Sequence, residues 1–368
     1  MTGPRYTDLI ESLPATVPFV GPETQERSRG RPFLARLGAN ENTFGPSPKA
    51  VEAMAQAARN VWMYGDPENH DLRQALALHH RVGAENIIVG EGIDGLLGYL
   101  ARLLIGPGDA VVTSDGAYPT FNFHAAGYGG HLHKVPYNGD HEDPDALIAK
   151  AVETGAKLIY FANPDNPMGS WHPAKTVQRL IDAVPDGCLL VLDEAYVEFA
   201  PEGTAPRLDP DTPHVIRMRT FSKAYAMAGA RVGYGVGHPE LIRAFDKIRN
   251  HFGMSRISQA GALAALGDAG HLGHILQAAK TARAEIERIA RAHGLTPLPS
   301  ATNFVTIDAG ADGAFARRLV AELVARDIFV RMPFVAPHDR CIRVSCGHPA
   351  DLAAFAEALP PALAAARS

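Results

Sequence analysis

Short, continuous apolar runs alternate with longer helical patterns through the middle of this chain. The stretch ENIIVGEGIDGLLGYLARLLI reads as a buried strand, a glycine turn at Gly90 and Gly92, and a long apolar helix. DAVVTSD repeats the strand, and AYPTFNFHAAGYGG begins another helix with Tyr118 in the intervening turn. AKLIYFANPDNPMGSW and CLLVLDEAYVEF each end a strand in polar residues, the second at Asp193 and Glu194. Strands that alternate with helices imply a parallel sheet, whose ligands gather beyond the carboxyl ends of the strands. The expected class is α/β.

The flanks read less regularly. Thr24 to Pro32 is polar and arginine-rich, and its simplest reading is a solvated loop after an amino-terminal arm. GANENTFGP is expected to be a loop, after which Ser47 and Pro48 resemble an N-cap and the first position of an alanine-rich helix. MYGDPENHDLRQALALHH is a turn leading into a helix, which places Tyr64 on an exposed connection. Beyond the strands, a long helix is expected from Pro239, and GALAALG and IERIARAHG are helical. RDIFVRMPF and CIRVSCG look like strands, with Arg331 and Arg343 near their ends.

Composition narrows the function classes. The 368 residues suffice for two domains, and 46% hydrophobic with 20% charged residues is ordinary globular usage. A net charge of -5, without a long basic block carrying aromatics, speaks against a nucleic-acid partner. No apolar run approaches a membrane span, and the amino terminus lacks the pattern of a signal peptide. Cys188, Cys341 and Cys346 show no metal spacing, which fits a reduced, cytoplasmic setting. His131 and His133 share one face of an extended segment, but further metal ligands are lacking, so an exposed strand face is the expectation.

Candidate chemistry concentrates in Thr220 to Gly235, TFSKAYAMAGARVGYG. Lys223 sits behind the hydroxyls of Thr220 and Ser222 and eight residues ahead of Arg231. A lysine is nucleophilic only when unprotonated, and an apolar or cationic pocket lowers its pKa toward that state. Hydroxyl donors, a forked guanidinium and an amine between them suit a phosphorylated aldehyde; a surface turn with a solvated lysine has the same residues. The glycine turn before the helix at Gly92 offers free backbone amides, a second place for a phosphate. Asp193 at a strand end can pair with a protonated pyridine nitrogen, although such residues also simply terminate strands.

These residues occur in an order that resembles the fold type I aminotransferases that use pyridoxal 5'-phosphate, most closely the histidinol-phosphate aminotransferase group. The motifs are NENTFGPS, the Tyr64 turn, GEGID, NPDNPMG, DEAY, TFSKAYAMAGAR and IRVSCG, and they run from Asn40 to Arg343. The resemblance implies an arm over 1–35 packing with the small domain, a large cofactor domain over 36–250, and a small α+β domain over 251–368. It assigns Lys223 as the amine that bonds the cofactor aldehyde and shuttles the proton. Asp193 would face the pyridine nitrogen, Asn166 and Tyr196 the ring's 3'-oxygen, and Tyr118 would stack on the ring. Phosphate would be held by the amides of Gly92, Ile93 and Asp94, by Thr220, Ser222 and Arg231, and by Tyr64 from a second subunit. That contact implies a homodimer.

Asn40, in its loop, could orient a substrate, although turns also favour Asn; for the substrate the resemblance implies a carboxylate contact at Arg343 and a phosphate contact at Arg331, twelve residues earlier. Phe19 stands where the group usually shows a tyrosine, so one hydroxyl contact to a phosphorylated substrate would be missing. Met168, Ile93 and Gly95 are further departures from the group's pattern. The implied activity is ping-pong amino transfer between an amino acid or amino alcohol phosphate and a 2-oxo acid. An aromatic amino acid aminotransferase, a threonine-phosphate decarboxylase-like enzyme and a non-catalytic relative that binds the cofactor are the alternatives.

Overall fold

The computed structural model describes residues 3–15 and 19–368. In chain order its strands are β1 (Ala35–Arg36), β2 (Ile87–Gly90), β3 (Ala110–Ser114), β4 (His131–Val135), β5 (Leu158–Ala162) and β6 (Leu189–Asp193). They continue with β7 (Val215–Thr220), β8 (Gly233–Gly237), β9 (Thr296–Pro297), β10 (Phe304–Asp308), β11 (Ile328–Phe329) and β12 (Cys341–Ser345). Seven form one sheet in the order β2-β8-β7-β6-β5-β3-β4. Strands β3 to β7 run parallel, and β8 runs antiparallel to both of its neighbours. The α/β expectation therefore holds.

Every residue of β5 and β6 is buried, as strands covered on both faces must be. One face packs on helices Gly92–Leu104 and Pro119–Gly127 through Leu96, Leu97, Leu100, Phe121 and Tyr160. The other face meets helices Pro144–Thr154 and Ala174–Asp182 through Leu147, Val177 and Leu180. A third cluster joins Leu72, Ile87 and Tyr234 to Ile286, Phe304 and Phe355, so the main sheet and the carboxyl-terminal elements share apolar packing. There β12, β10 and β9 form an antiparallel sheet against helices Ala269–Ala292, Gly313–Ala325 and Pro349–Arg367.

The predicted cap is present: the Ser47 hydroxyl accepts from the Lys49 amide at 3.1 Å, with Pro48 opening helix Pro48–Ala58. Elsewhere the structure corrects the sequence reading. Thr24 to Pro32 is not a solvated loop, because helix Pro22–Arg29 occupies most of it. Most of its charges are paired: Arg29 and Arg31 reach Asp327, and Glu26 binds Arg36 and the Phe33 amide, while Arg27 stays exposed. These contacts fasten the arm beside β1, which itself pairs with β11.

The helix from Pro239 is also shorter than expected, ending at Ala244 before a 3-10 turn over Phe245–Lys247. The backbone beyond it is committed elsewhere: Arg102 donates to the Ile248 carbonyl, and the Asn250 amide donates to the Tyr99 hydroxyl at 3.0 Å. RDIFVRMPF contributes only the two residues of β11 and a bridge between Arg331 and Arg343. Two central strands carried no recognised signal. GYGVG of β8 holds three glycines, which are poor strand formers, yet all five residues are buried.

Candidate active site

The carboxyl ends of β5, β6 and β7 open into a cleft of about 560 Å³, within the range of ligand pockets. Fifteen residues were proposed as site residues from the sequence. The structure brings Asn40, Ile93, Asp94, Tyr118, Asn166, Asp193, Tyr196, Thr220, Ser222, Lys223, Arg231, Arg331 and Arg343 to its wall. Gly92 lies just behind, and Tyr64 does not reach it.

Lys223 follows β7 in the connection that returns as β8. That connection is closed by the Phe221 amide on the Val232 carbonyl at 3.0 Å, so its two ends are held together beneath the amine. Lys223 Nζ donates to the Asn40 carbonyl at 3.1 Å and lies 5.6 Å from the centre of the Tyr196 ring. Burial, and then the charge of Arg343, lowers the amine to about 8, against the opposing pull of Glu41 and Asp193. An appreciable neutral fraction near neutral pH follows.

Asp193 ends β6 in register with Ala162 and Met218, which points its carboxyl to the cleft face of the sheet. Oδ1 accepts from the Ala195 amide at 2.9 Å and Oδ2 from the Tyr160 hydroxyl at 2.6 Å. Burial raises its pKa, and these donors oppose that rise. Glu194 points to the other face, where Arg217 grips it at 2.5 and 3.1 Å and Arg219 at 2.9 Å. Burial would push Glu194 up, but the two guanidinium groups hold it at about 2. Strand alternation thus turns Asp193, not Glu194, toward the cleft.

On the side of the cleft at the start of helix Gly92–Leu104, backbone amides and hydroxyls gather around Arg231. Gly92 opens helix Gly92–Leu104 with φ 79, and a Cβ there would stand 2.6 Å from Arg231 Nη2. A Cβ on Gly233 would meet the Ile93 nitrogen at 2.5 Å, so β8 needs glycine to approach the helix start. Thr220 Oγ1 accepts from the Ser222 amide at 3.0 Å, while Arg231 Nη1 lies 3.5 Å from the Ser222 hydroxyl. Asp94 is taken by His124 Nε2 at 2.8 Å.

Arg343 donates to Asn166 Oδ1, and its Nε is buried without a protein partner. Such an atom costs free energy unless a ligand accepts from it. Arg331 donates to the Val20 carbonyl at 2.6 Å and lies 5.3 Å from the Phe19 ring centre. Phe19 in turn stacks on Tyr118 with centroids 5.9 Å apart, so the arm forms part of the cleft wall. Tyr64 is 76% exposed and packs on Phe252 outside the cleft.

Sequence reasoning missed several supports. Tyr160 carried one legible signal, a phenol in the otherwise apolar run LIYFA. Ser345 and Asn303, which bind Asn40 from the carboxyl-terminal sheet and the turn before it, had none, since long-range pairing alone unites them. Among the described residues no cluster of His, Cys, Asp or Glu could hold a metal, and no helix is long and apolar enough to cross a membrane.

Comparison with known proteins agrees with this geometry. The family model for aminotransferase class I and II matches residues 34–359. A histidinol-phosphate aminotransferase of Mesorhizobium japonicum is 38% identical over 335 residues, covering 89% of each chain. One from Moorella thermoacetica is 33% identical, covering 99% of this chain and 94% of its own. The solved histidinol-phosphate aminotransferase of Sinorhizobium meliloti, in complex with pyridoxal 5'-phosphate, superposes with a TM-score of 0.96 at 53% identity, covering 99% of this chain and 98% of that one. The fold, the cleft at the strand ends and these likenesses agree that the chain belongs to the class I and II aminotransferases.

Proposed function

We propose that this aminotransferase holds pyridoxal 5'-phosphate through Lys223 and transfers the amino group of histidinol phosphate, or a close phosphorylated analogue, to a 2-oxo acid. The observation that carries the reading is the position of Lys223, its amine lowered to about 8, in one cleft with Asp193 and Arg343. The names of the relatives support the substrate class. The cofactor's fit rests on the close approach of Gly92 to Arg231 and on the Asp193 carboxylate at the cleft wall, while the unpartnered Nε of Arg343 suits a substrate carboxylate.

Residues 36–250 would bind the cofactor and 251–368 would form the small domain. Gly92, Ile93, Asp94, Thr220, Ser222 and Arg231 would hold the phosphate, completed by Tyr64 of a second copy. When bound, the cofactor supplies the aldehyde that carries the amino group and the ring that accepts carbanion electrons. Lys223 would bond the cofactor aldehyde, and its neutral amine would take and return the proton at the substrate carbon. Asp193 would keep the ring nitrogen protonated. Asn166 and Tyr196 would hold the 3'-oxygen; the Tyr196 hydroxyl already accepts from Asn40 Nδ2 at 3.0 Å, which leaves its own proton to donate. Arg343 takes the carboxylate of the 2-oxo acid, and Arg331, backed by Phe19, takes the substrate phosphate.

The stack of Phe19 on Tyr118 favours a second reading, an aromatic amino donor. The test is the visible spectrum of the cofactor-loaded protein as histidinol phosphate, phenylalanine, phosphothreonine and glutamate are added in turn. Histidinol phosphate and glutamate are expected to bleach the yellow form, and Lys223→Ala to abolish turnover with the fold retained. Bleaching by phenylalanine alone would select the second reading, and carbon dioxide release from phosphothreonine would make the chain a decarboxylase. A protein that never turns yellow would refute both aminotransferase readings.

A further inference from the structure

Tyr160 sits in the middle of β5, fully buried, in a cluster whose other members are aliphatic or aromatic. Its ring lies against Phe121 at 4.7 Å and an interplanar angle of 18°. For packing alone a phenylalanine would serve as well. A buried hydroxyl needs a partner, and this one donates 2.6 Å to Asp193 Oδ2. In the register of the sheet Ala162 faces Asp193, so Tyr160 is one pleat below on the same face and its hydroxyl reaches diagonally up to the carboxylate. The geometry is that of a support beneath a working group.

We infer that Tyr160 is a positioning residue for Asp193, holding the carboxylate ionised and aimed so that it keeps the cofactor's ring nitrogen protonated. The inference rests on the cofactor reading above. A hydrogen bond to the charged form of an acid favours that form, whereas burial favours the neutral one. Among the described residues the Asp193 carboxyl receives two hydrogen bonds, from the Ala195 amide and the Tyr160 hydroxyl, and the backbone fixes the first. The charged and titratable groups around the carboxyl are Lys223, which favours its ionisation, and Glu194, which opposes it. Glu142, Tyr118 and Tyr196 also lie within electrostatic reach. Tyr160 is the side chain that can be altered without touching the cleft's anion and substrate contacts. Its phenol stays protonated, because burial and then the Asp193 charge push its pKa well up, and so it remains a donor.

The test is Tyr160→Phe, read by cofactor affinity and by the nitrogen-15 resonance of cofactor labelled at the ring nitrogen, at neutral pH. Circular dichroism and melting of the cofactor-free variant establish that it folds. The expected result is an affinity loss on the order of tenfold, the worth of one charge-assisted hydrogen bond. The resonance should move toward the unprotonated value, because a less stabilised Asp193 anion takes the proton back. An unmoved resonance overturns the inference whatever the affinity does, since lost packing alone would not shift it. If the variant does not fold, 3-fluorotyrosine at position 160 keeps the ring and strengthens the donor. The resonance should then move toward the protonated value, and no movement overturns the inference. Wild-type protein that binds no cofactor would instead refute the reading of the site, so the two failures are distinguishable.

Discussion

Lys223 shows most directly how one side chain is altered by its place in the fold. The unfolded chain keeps the ordinary lysine value of 10.5, and the fold lowers it to about 8, with burial as the leading cause. Between those values the unfolded state binds the extra proton, so stability rises with pH through that window; below about 8 the strain of the buried charge is fully present. Lys223→Met should therefore raise the melting temperature of the cofactor-free protein at pH 7, by roughly 2 °C or more. The gain should shrink as pH rises from about 8 toward 10.5. Calorimetry across that range checks it, and a gain independent of pH would show that Lys223 is not strained.

At the scale of elements, the decisive feature is the end of β6, where consecutive acids leave on opposite faces. Asp193 enters the cleft, while Glu194 is 1% exposed and locked by Arg217 and Arg219 of β7. Glu194→Gln leaves the nearly buried Arg217 without its counter-charge, which costs ~3 kcal/mol. Because folding lowers Glu194 from 4.5 to about 2, its contribution is complete above 4.5 and is lost as pH falls toward about 2. The variant's deficit in chemical denaturation should therefore be largest at neutral pH and fade in acid. A constant deficit down to acid would point to packing rather than charge. The arm offers a second lesson at this scale. Its arginines looked free in the sequence, but Arg29 at the end of helix Pro22–Arg29 and Arg31 just beyond it both reach Asp327, about 300 residues away.

Over the whole molecule, Val61, Trp62, Tyr64 and Phe252 are 60%, 80%, 76% and 52% exposed. Apolar side chains grouped near one turn in this way suit contact with a second copy. If Tyr64 serves the neighbouring site, Lys223→Ala and Tyr64→Ala subunits are each impaired alone. Mixed and reassociated, they form hybrid dimers with one intact site, and about one quarter of wild-type activity should return in a two-fold symmetric dimer. Absence of recovery, with hybrids confirmed by mass spectrometry, would place Tyr64 outside the partner's site.

The sequence by itself determined the α/β class, the strands β2, β3, β5 and β6, and the exposed place of Tyr64, and thirteen of the fifteen site residues it pointed to line the cleft. The strands and the Ser47 cap are local features, an apolar run or a capping residue, and Asp193 stands at the end of such a run; most other site residues were legible only through the order of motifs that carries the resemblance. Tertiary structure decided the rest. Strand β8, rich in glycine, exists because β2 and β7 supply its pairing and because its Gly233 must pass the Ile93 amide. The helix after Pro239 stops early because Arg102 and Tyr99 claim the backbone beyond it. Asn40 is fixed by Ser345 and Asn303, and Asp193 by Tyr160, through contacts between residues far apart in the chain. Hydrophobic periodicity records which face of an element is buried, but a hydrogen bond between distant residues leaves no periodic trace, and only the assembled fold can form it.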